Sequence, residues 1–310
     1  MPRAIGLSRV IYQAPDLDRM AGFMADFGLA VAARTADALY LRGTGTAPCI
    51  HATQRGAEPR FIAGAFQFAA REDLDALAAV PGSSAPERMD APGGGLLVRM
   101  RLPGGERIDA VCDVAEAAPL PLRAPPPFNA GADKRRIDRP LRPRREPAAV
   151  LRIGHFVQRV RDHDATVAWL CRHFGLVPSD HLGIPGDPPK VIGTFLRLAG
   201  DGAPVDHHSM LVLDSSDPGV HHCSFEVQDV DAIMAAHEYL VERGHVLDCG
   251  VGRHLLGSQI FDYWRDPFGF RVEHYTDGDV VTAAHQPEVF TGTAGETTQW
   301  GMKPPPEFFA

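Results

Sequence analysis

The sequence predicts an α+β fold of two related halves, each a pair of βαβββ modules. Three observations predict it: an internal repeat, the order strand, helix, strands within each half, and three metal-ligating residue types set in strand-like runs of the second half. The repeat places residues 8–18 over 154–164, and both copies then run on to Phe-Gly-Leu, at Phe27-Gly28-Leu29 and Phe174-Gly175-Leu176. Near the far end of each half, residues 103–109 lie over 267–273. Self-similarity of this kind marks a duplicated structural unit.

Taken in order, the second half reads as strands near 151–160, 191–198, 208–213, 221–228, 259–263 and 270–275, with helices near 164–174 and 230–243. The strands are short apolar runs of about the length a sheet takes. Asp162 and Asp229 stand at the helix starts, where a short carboxylate accepts the unpaired N–H groups of a first turn. Gly43-Thr44-Gly45-Thr46 and Gly93-Gly94-Gly95 lack the Lys-Ser/Thr and the spacing of phosphate loops, so they read as turns. The expected divisions are 1–113 for the first half, 114–149 for a linker, 150–280 for the second half and 281–310 for an extended tail. The linker holds Pro125-Pro126-Pro127 and a basic run over 134–145, and it reads as a solvated connection rather than a nucleic-acid or lipid site. The tail is expected to cover the site or a neighbouring subunit, which the sequence does not decide.

Composition bounds the function. The 310 residues are 45% hydrophobic and 23% charged, ordinary for a globular chain long enough for two cores. A net charge of -8 speaks against a nucleic-acid binder, whose phosphate contacts need a basic surface. No signal-peptide core and no membrane-length apolar stretch stand out, so a cytoplasmic protein without a membrane partner is expected. The cysteines at 49, 112, 171, 223 and 249 are odd in number and lack a Cys-x-x-Cys pair, which points to neither a disulfide framework nor structural zinc.

The chemistry centres on His155 in Gly154-His155-Phe156-Val157, His222 in His221-His222-Cys223-Ser224-Phe225, and Glu273 in Phe270-Arg271-Val272-Glu273. Two neutral imidazoles and one carboxylate occupy one face of a divalent metal and leave positions open, the ligand set of non-heme Fe(II) oxygenases. Any one of these residues alone reads equally well as a satisfied polar group on a half-buried strand.

With the residues around them, and above all the run from Asp262-Tyr263-Trp264-Arg265-Asp266-Pro267 to Asp279, these motifs resemble the type I extradiol ring-cleavage dioxygenases of the vicinal oxygen chelate superfamily. The resemblance is clearest over 150–280 and fainter over the first 113 residues. It implies two vicinal oxygen chelate domains, each curled into an open, barrel-like sheet, with Fe(II), or less often Mn(II), bound by His155, His222 and Glu273. It also implies a small aromatic diol and O2 as substrates, and a homo-oligomer. His208 matches the family's acid-base histidine, with His207 as the register alternative because neighbouring strand residues face opposite ways. Tyr263 matches a tyrosine whose hydroxyl bonds the substrate oxygen, against a packed aromatic as the plain alternative. His254 matches a histidine on the distal side of the pocket, against a surface-loop residue. His208, Tyr263 and His254 are thus the expected catalytic and substrate-contacting set, while Trp264 is expected to pack away from it.

The first half carries Arg9, approximately Ala65, and Asp109 at the positions of the three ligands, and a permanent cation beside an alanine makes no metal site. Histidines 163, 173, 237 and 285 read as surface or capping residues. Other readings stay open: a 2-oxo-acid-type dioxygenase, a glyoxalase-like enzyme, or a non-catalytic binder of the bleomycin-resistance type.

Overall fold

The computed structural model describes residues 2–309, the side chain of residue 309 excepted; residues 1 and 310, the outer ends of the first and last expected segments, lie outside it. The first half runs β1 (Ala4–Ala14), α1 (Leu17–Phe27), β2 (Ala30–Arg34), β3 (Ala38–Arg42), β4 (His51–Arg55), β5 (Arg60–Phe68), α2 (Arg71–Ala78), β6 (Glu87–Arg88), β7 (Leu96–Arg101) and β8 (Arg107–Cys112). The second runs β9 (Val150–Val160), α3 (His163–Phe174), β10 (Val177–Ile184), β11 (Lys190–Arg197), β12 (Val205–Asp206), β13 (Met210–Asp214), β14 (Gly219–Val227), α4 (Val230–Glu242), β15 (Val246–His254), β16 (Ile260–Arg265) and β17 (Arg271–Thr276). Three short tail strands follow, β18 (Val280–Val281), β19 (Val289–Phe290) and β20 (Thr298–Gly301).

Each half is two βαβββ modules, as expected. In every module the first strand pairs in parallel with the last: β1 with β4, β5 with β8, β9 with β13, β14 with β17. The modules then join through their first strands, antiparallel, β1 to β5 and β9 to β14. The sheet orders are β2-β3-β4-β1-β5-β8-β7-β6 and β19-β10-β11-β13-β9-β14-β17-β16-β15-β20.

The helices form where caps and apolar spacing agree. Asp16 caps α1 by accepting from the N–H groups of Asp18 and Arg19, and Leu17, Met20, Phe23, Met24 and Phe27 bury one face. Gly28 ends it at φ 105, where a side chain is strained and where a Cβ would collide with the Ala148 carbonyl. Asp162 and Asp229 cap α3 and α4 through Ala165 N and Ala232 N.

The two halves share one apolar core rather than two. Phe27, Phe66, Phe156, Phe174 and Phe225 belong to a single buried cluster that crosses between them. Gly64 makes room for this packing, since a Cβ there would lie 2.4 Å from the Phe156 ring. The linker is mostly exposed and is tied down by Arg123 to Asp229 and by Arg145 to Glu242. No helix among the described residues is long and apolar enough to cross a membrane.

The tail does not extend away. β18 pairs with β12, β19 with β10 and β20 with β15, and Phe308 is buried, so the tail closes over its own half. His163 corrects the surface reading: it is buried, with Nδ1 2.8 Å from Asp164 and Nε2 2.9 Å from the Thr194 hydroxyl, tying α3 to β11. His237 likewise meets the buried Asp262 at 3.0 Å.

Candidate active site

β9, β14 and β17 lie side by side, and their register determines what faces inward. Ser224 on β14 pairs with His155 on one side and with Glu273 on the other, and His222 pairs with Val157 two residues along. Residues two apart on a strand share a face, so His155, His222 and Glu273 project together. His155 Nε2 lies 3.1 Å from Glu273 Oε2, His222 Nε2 lies 3.4 Å from the same oxygen, and the two imidazole nitrogens are 3.3 Å apart. All three residues are buried, at 2%, 4% and 0% exposure. Gly154 leaves room for the Tyr275 ring from β17, because a Cβ there would sit 2.2 Å from the Tyr275 hydroxyl.

These donors fit a divalent cation. Neither oxygen of Glu273 has a hydrogen-bond partner despite full burial. Burial by itself would raise the Glu273 pKa, but His155, His222 and His254 around it outweigh that and hold it well below the usual carboxylate range. Burial also drives His222 down to about 4, partly offset by Glu273, so its ring is neutral and has a lone pair to offer. A buried carboxylate packed against two imidazole nitrogens is the donor set of a divalent cation, and a cation among them would offset the cost of its burial. Behind His222, its Nδ1 lies 2.6 Å from His221 Nδ1, and His221 Nε2 meets the Phe308 carbonyl, with Arg271 alongside. Such partners fix the orientation of a ligating ring.

The triad opens on a cavity of about 450 Å³, its mouth included, which His208, His254 and Tyr263 also line. The His208 ring lies 4.2 Å from the His155 ring, tilted 48° to it, while His207 reaches Asp180, 2.8 Å distant. Burial and the neighbouring His155 and His207 keep His208 well below its usual pKa. Tyr263, paired with Glu273 across β16 and β17, has its hydroxyl 2.8 Å from His254 Nε2. Burial and the charge of Glu273 raise its pKa well above the usual value, so it remains a phenol with a proton to donate. Trp264 faces away and donates to Asp262. The remaining wall is apolar apart from Gln259 and Thr297, with Val157, Leu182, Phe195, Leu211 and Leu256.

Sequence reasoning missed part of this site. Val157 was readable, since it stands two residues beyond His155 on the same face. Asp180 lies on β10, which was not expected as a strand, and the tail's contribution of Thr297 to the cavity and of His285 beside Asp180 had no local signal.

The first half has no such cluster among the described residues. Its register also corrects the repeat: Ile11 pairs with Ala63 as Val157 pairs with His222, so the counterpart of His222 is Ala63, not Ala65. Asp109 is taken by Arg107 through two 2.7 Å bonds, and the Arg9 guanidinium lies 2.6 Å from the Met89 sulfur.

Residues 152–274 match the family model of the Glyoxalase/Bleomycin resistance protein/Dioxygenase superfamily. The half that carries the triad belongs to that superfamily. A stretch of 105 residues is 33% identical to Metapyrocatechase 2 of Cupriavidus necator, covering 34% of this chain and 32% of that protein, so the match spans about a third of the relative's length. Among solved structures, the Mn(II)-bound glyoxalase from Novosphingobium aromaticivorans aligns with a TM-score of 0.82 at 25% identity, over 99% of this chain and 94% of the other. Homoprotocatechuate 2,3-dioxygenase from Brevibacterium fuscum, in complex with 3,4-dihydroxyphenylacetate, aligns with a TM-score of 0.78 at 18% identity, over 99% and 92%. The fold of this superfamily therefore extends over both halves.

Proposed function

We propose that this protein is an extradiol dioxygenase. It opens a substituted catechol or trihydroxylated ring beside, rather than between, the vicinal hydroxyls, with Fe(II) or Mn(II) held by His155, His222 and Glu273. The observation that carries this reading is the meeting of the buried His155, His222 and Glu273 cluster with His208, His254 and Tyr263 around one small, largely apolar cavity. A divalent metal bound there supplies Lewis acidity toward a vicinal diol and a single centre at which diol and O2 meet. Because the ligands contribute one negative charge, the site stays cationic and attracts a diol anion. Val157, Phe195 and Leu211 hold the ring and exclude water. His208, neutral at rest, takes a diol proton and returns it later in the cycle. Tyr263 donates its hydroxyl proton to the developing oxyanion. The first half serves as scaffold.

A glyoxalase-like isomerase is the second reading, favoured by the 25% identical Mn(II)-bound glyoxalase, which aligns over nearly the whole chain. Anaerobic purification, metal analysis and a panel of catechols separate the two. The expected result is one Fe or Mn per chain, with oxygen uptake and a coloured ring-opened product. Metal-dependent isomerisation of an α-oxo thiol adduct without oxygen uptake selects the isomerase, and ligand binding without turnover selects a sequestering protein.

A further inference from the structure

Behind the cavity wall, away from the triad, a second buried polar chain leads to His208. His207 Nδ1 lies 3.1 Å from His208 Nδ1, and His207 Nε2 lies 2.8 Å from Asp180 Oδ2. Asp180 Oδ1 accepts the Glu288 backbone N–H at 2.9 Å, and the His207 backbone N–H donates to the Asp279 carbonyl at 2.9 Å. His285 Nε2 stands 3.7 Å from Asp180 Oδ1 and 2.9 Å from the Ser179 carbonyl. Asp180, His207 and His285 have the composition of a second metal cluster. Their bonding argues otherwise: both Asp180 oxygens accept hydrogen bonds, whereas both Glu273 oxygens accept none.

We infer that Asp180 and His207 are positioning residues that fix which nitrogen of His208 carries its proton, an inference that rests on the acid-base reading of His208. Asp180 anchors the chain. Burial would raise its pKa, but hydrogen bonds from His207 and the Glu288 amide, with His207 and His285 nearby, hold it below the ordinary value. An ionised carboxylate only accepts, so His207 Nε2 bears a hydrogen, and in a neutral imidazole Nδ1 is then a lone pair. The contact between the two Nδ1 atoms is filled by a proton from His208. His208 Nε2 is left as the lone pair available to the cavity, which is the form a base needs to receive a diol proton. The tautomer of a cavity residue is thus set by a neighbouring strand, β10, and by the tail.

Three substitutions at these two positions test this. In Asp180→Asn, the Glu288 N–H keeps the amide oxygen at the Oδ1 position, which turns the NH2 group toward His207 Nε2 and reverses the protons along the chain. His207→Leu removes the acceptor outright, while His207→Asn returns an oxygen near the former Nδ1. With metal content and KM for catechol within about threefold of wild type, kcat in Asp180→Asn and His207→Leu should fall on the order of 10²-fold. His207→Asn should recover most of that loss. Wild-type kcat in Asp180→Asn and His207→Leu beside an inactive His208→Phe overturns the relay and leaves the acid-base reading intact. A fully active His208→Phe overturns that reading itself. Losses that only follow lost metal mean a structural role and overturn the inference, as does a second equivalent of metal that His285→Ala removes.

Discussion

Replacing Glu273 by alanine should empty the metal site, because it removes the only anionic ligand and leaves two imidazoles that bind a divalent ion far more weakly. Metal analysis of the folded variant checks this, and full occupancy with full turnover would sink the assignment. His155→Ala and His222→Ala should behave alike, while Arg9→Ala and Asp109→Ala should leave the count at one ion per chain. At the reacting end, His208→Phe should keep metal and bind catechol yet lose turnover by about 10²–10⁴-fold. Tyr263→Phe should fall short of that, losing one hydrogen bond to the substrate oxygen while the proton acceptor stays. The triad was legible because each ligand sits inside its own apolar motif and because alternation along a strand dictates its face. His207, only the register alternative to His208 in the sequence, gains a role of its own from the structure, since its Nδ1 lies 3.1 Å from His208 Nδ1. Nothing local in the sequence marks Asp180, whose role depends on a chain reversal and on a tail that returns from about a hundred residues away.

At the scale of elements, the strands missed in the sequence are those with the weakest local signal. β10 contains Pro178 and Asp180, and β15 contains Gly250 and Gly252, residues depleted in strands and usual at edges or close approaches. Pairing rescued them: β10 is held by β11 and β19, β15 by β16 and β20. The tail was legible only as an arm, because its anchors are single residues. Phe308 is the chief one, its ring 3.9 Å beneath the Arg271 guanidinium carbon and 5.1 Å from the Tyr263 ring. Phe308→Ala should cost about 3 kcal/mol of tail docking, at the low end for losing a buried aromatic ring. Limited proteolysis should then cut residues 302–308 sooner, and metal affinity should fall because His221 and Arg271 no longer brace His222. Unchanged protease resistance would show that the strand pairings hold the tail without it. Gly154→Ala should likewise lower metal affinity, since β9 or Tyr275 must shift to admit the methyl group beside His155.

Across the whole molecule, the shared core makes the first half part of the folding unit of the second, and one ion cluster at their junction reports on that union. Asp26, in α1 of the first half, accepts from the Tyr239 hydroxyl at 2.9 Å, from Arg243 Nε at 3.1 Å and from His245 Nε2 at 2.8 Å, all in the second half. Burial alone would raise its pKa, but these hydrogen bonds and the charge of Arg243 outweigh it and hold the carboxyl below 3.8. A carboxyl that is more acidic folded than unfolded adds stability above its unfolded pKa. That stability is lost as pH falls through the folded value. Asp26→Asn should therefore destabilise the protein by about 1–2 kcal/mol at pH 7, after discounting for partial exposure. The gap to wild type should close below about pH 4. Urea unfolding of both proteins at neutral and acid pH measures it, and because metal loss in acid affects both alike, the difference isolates Asp26. A gap that does not narrow in acid would mean that shape rather than charge matters at this position, leaving the halves joined by their common apolar core alone.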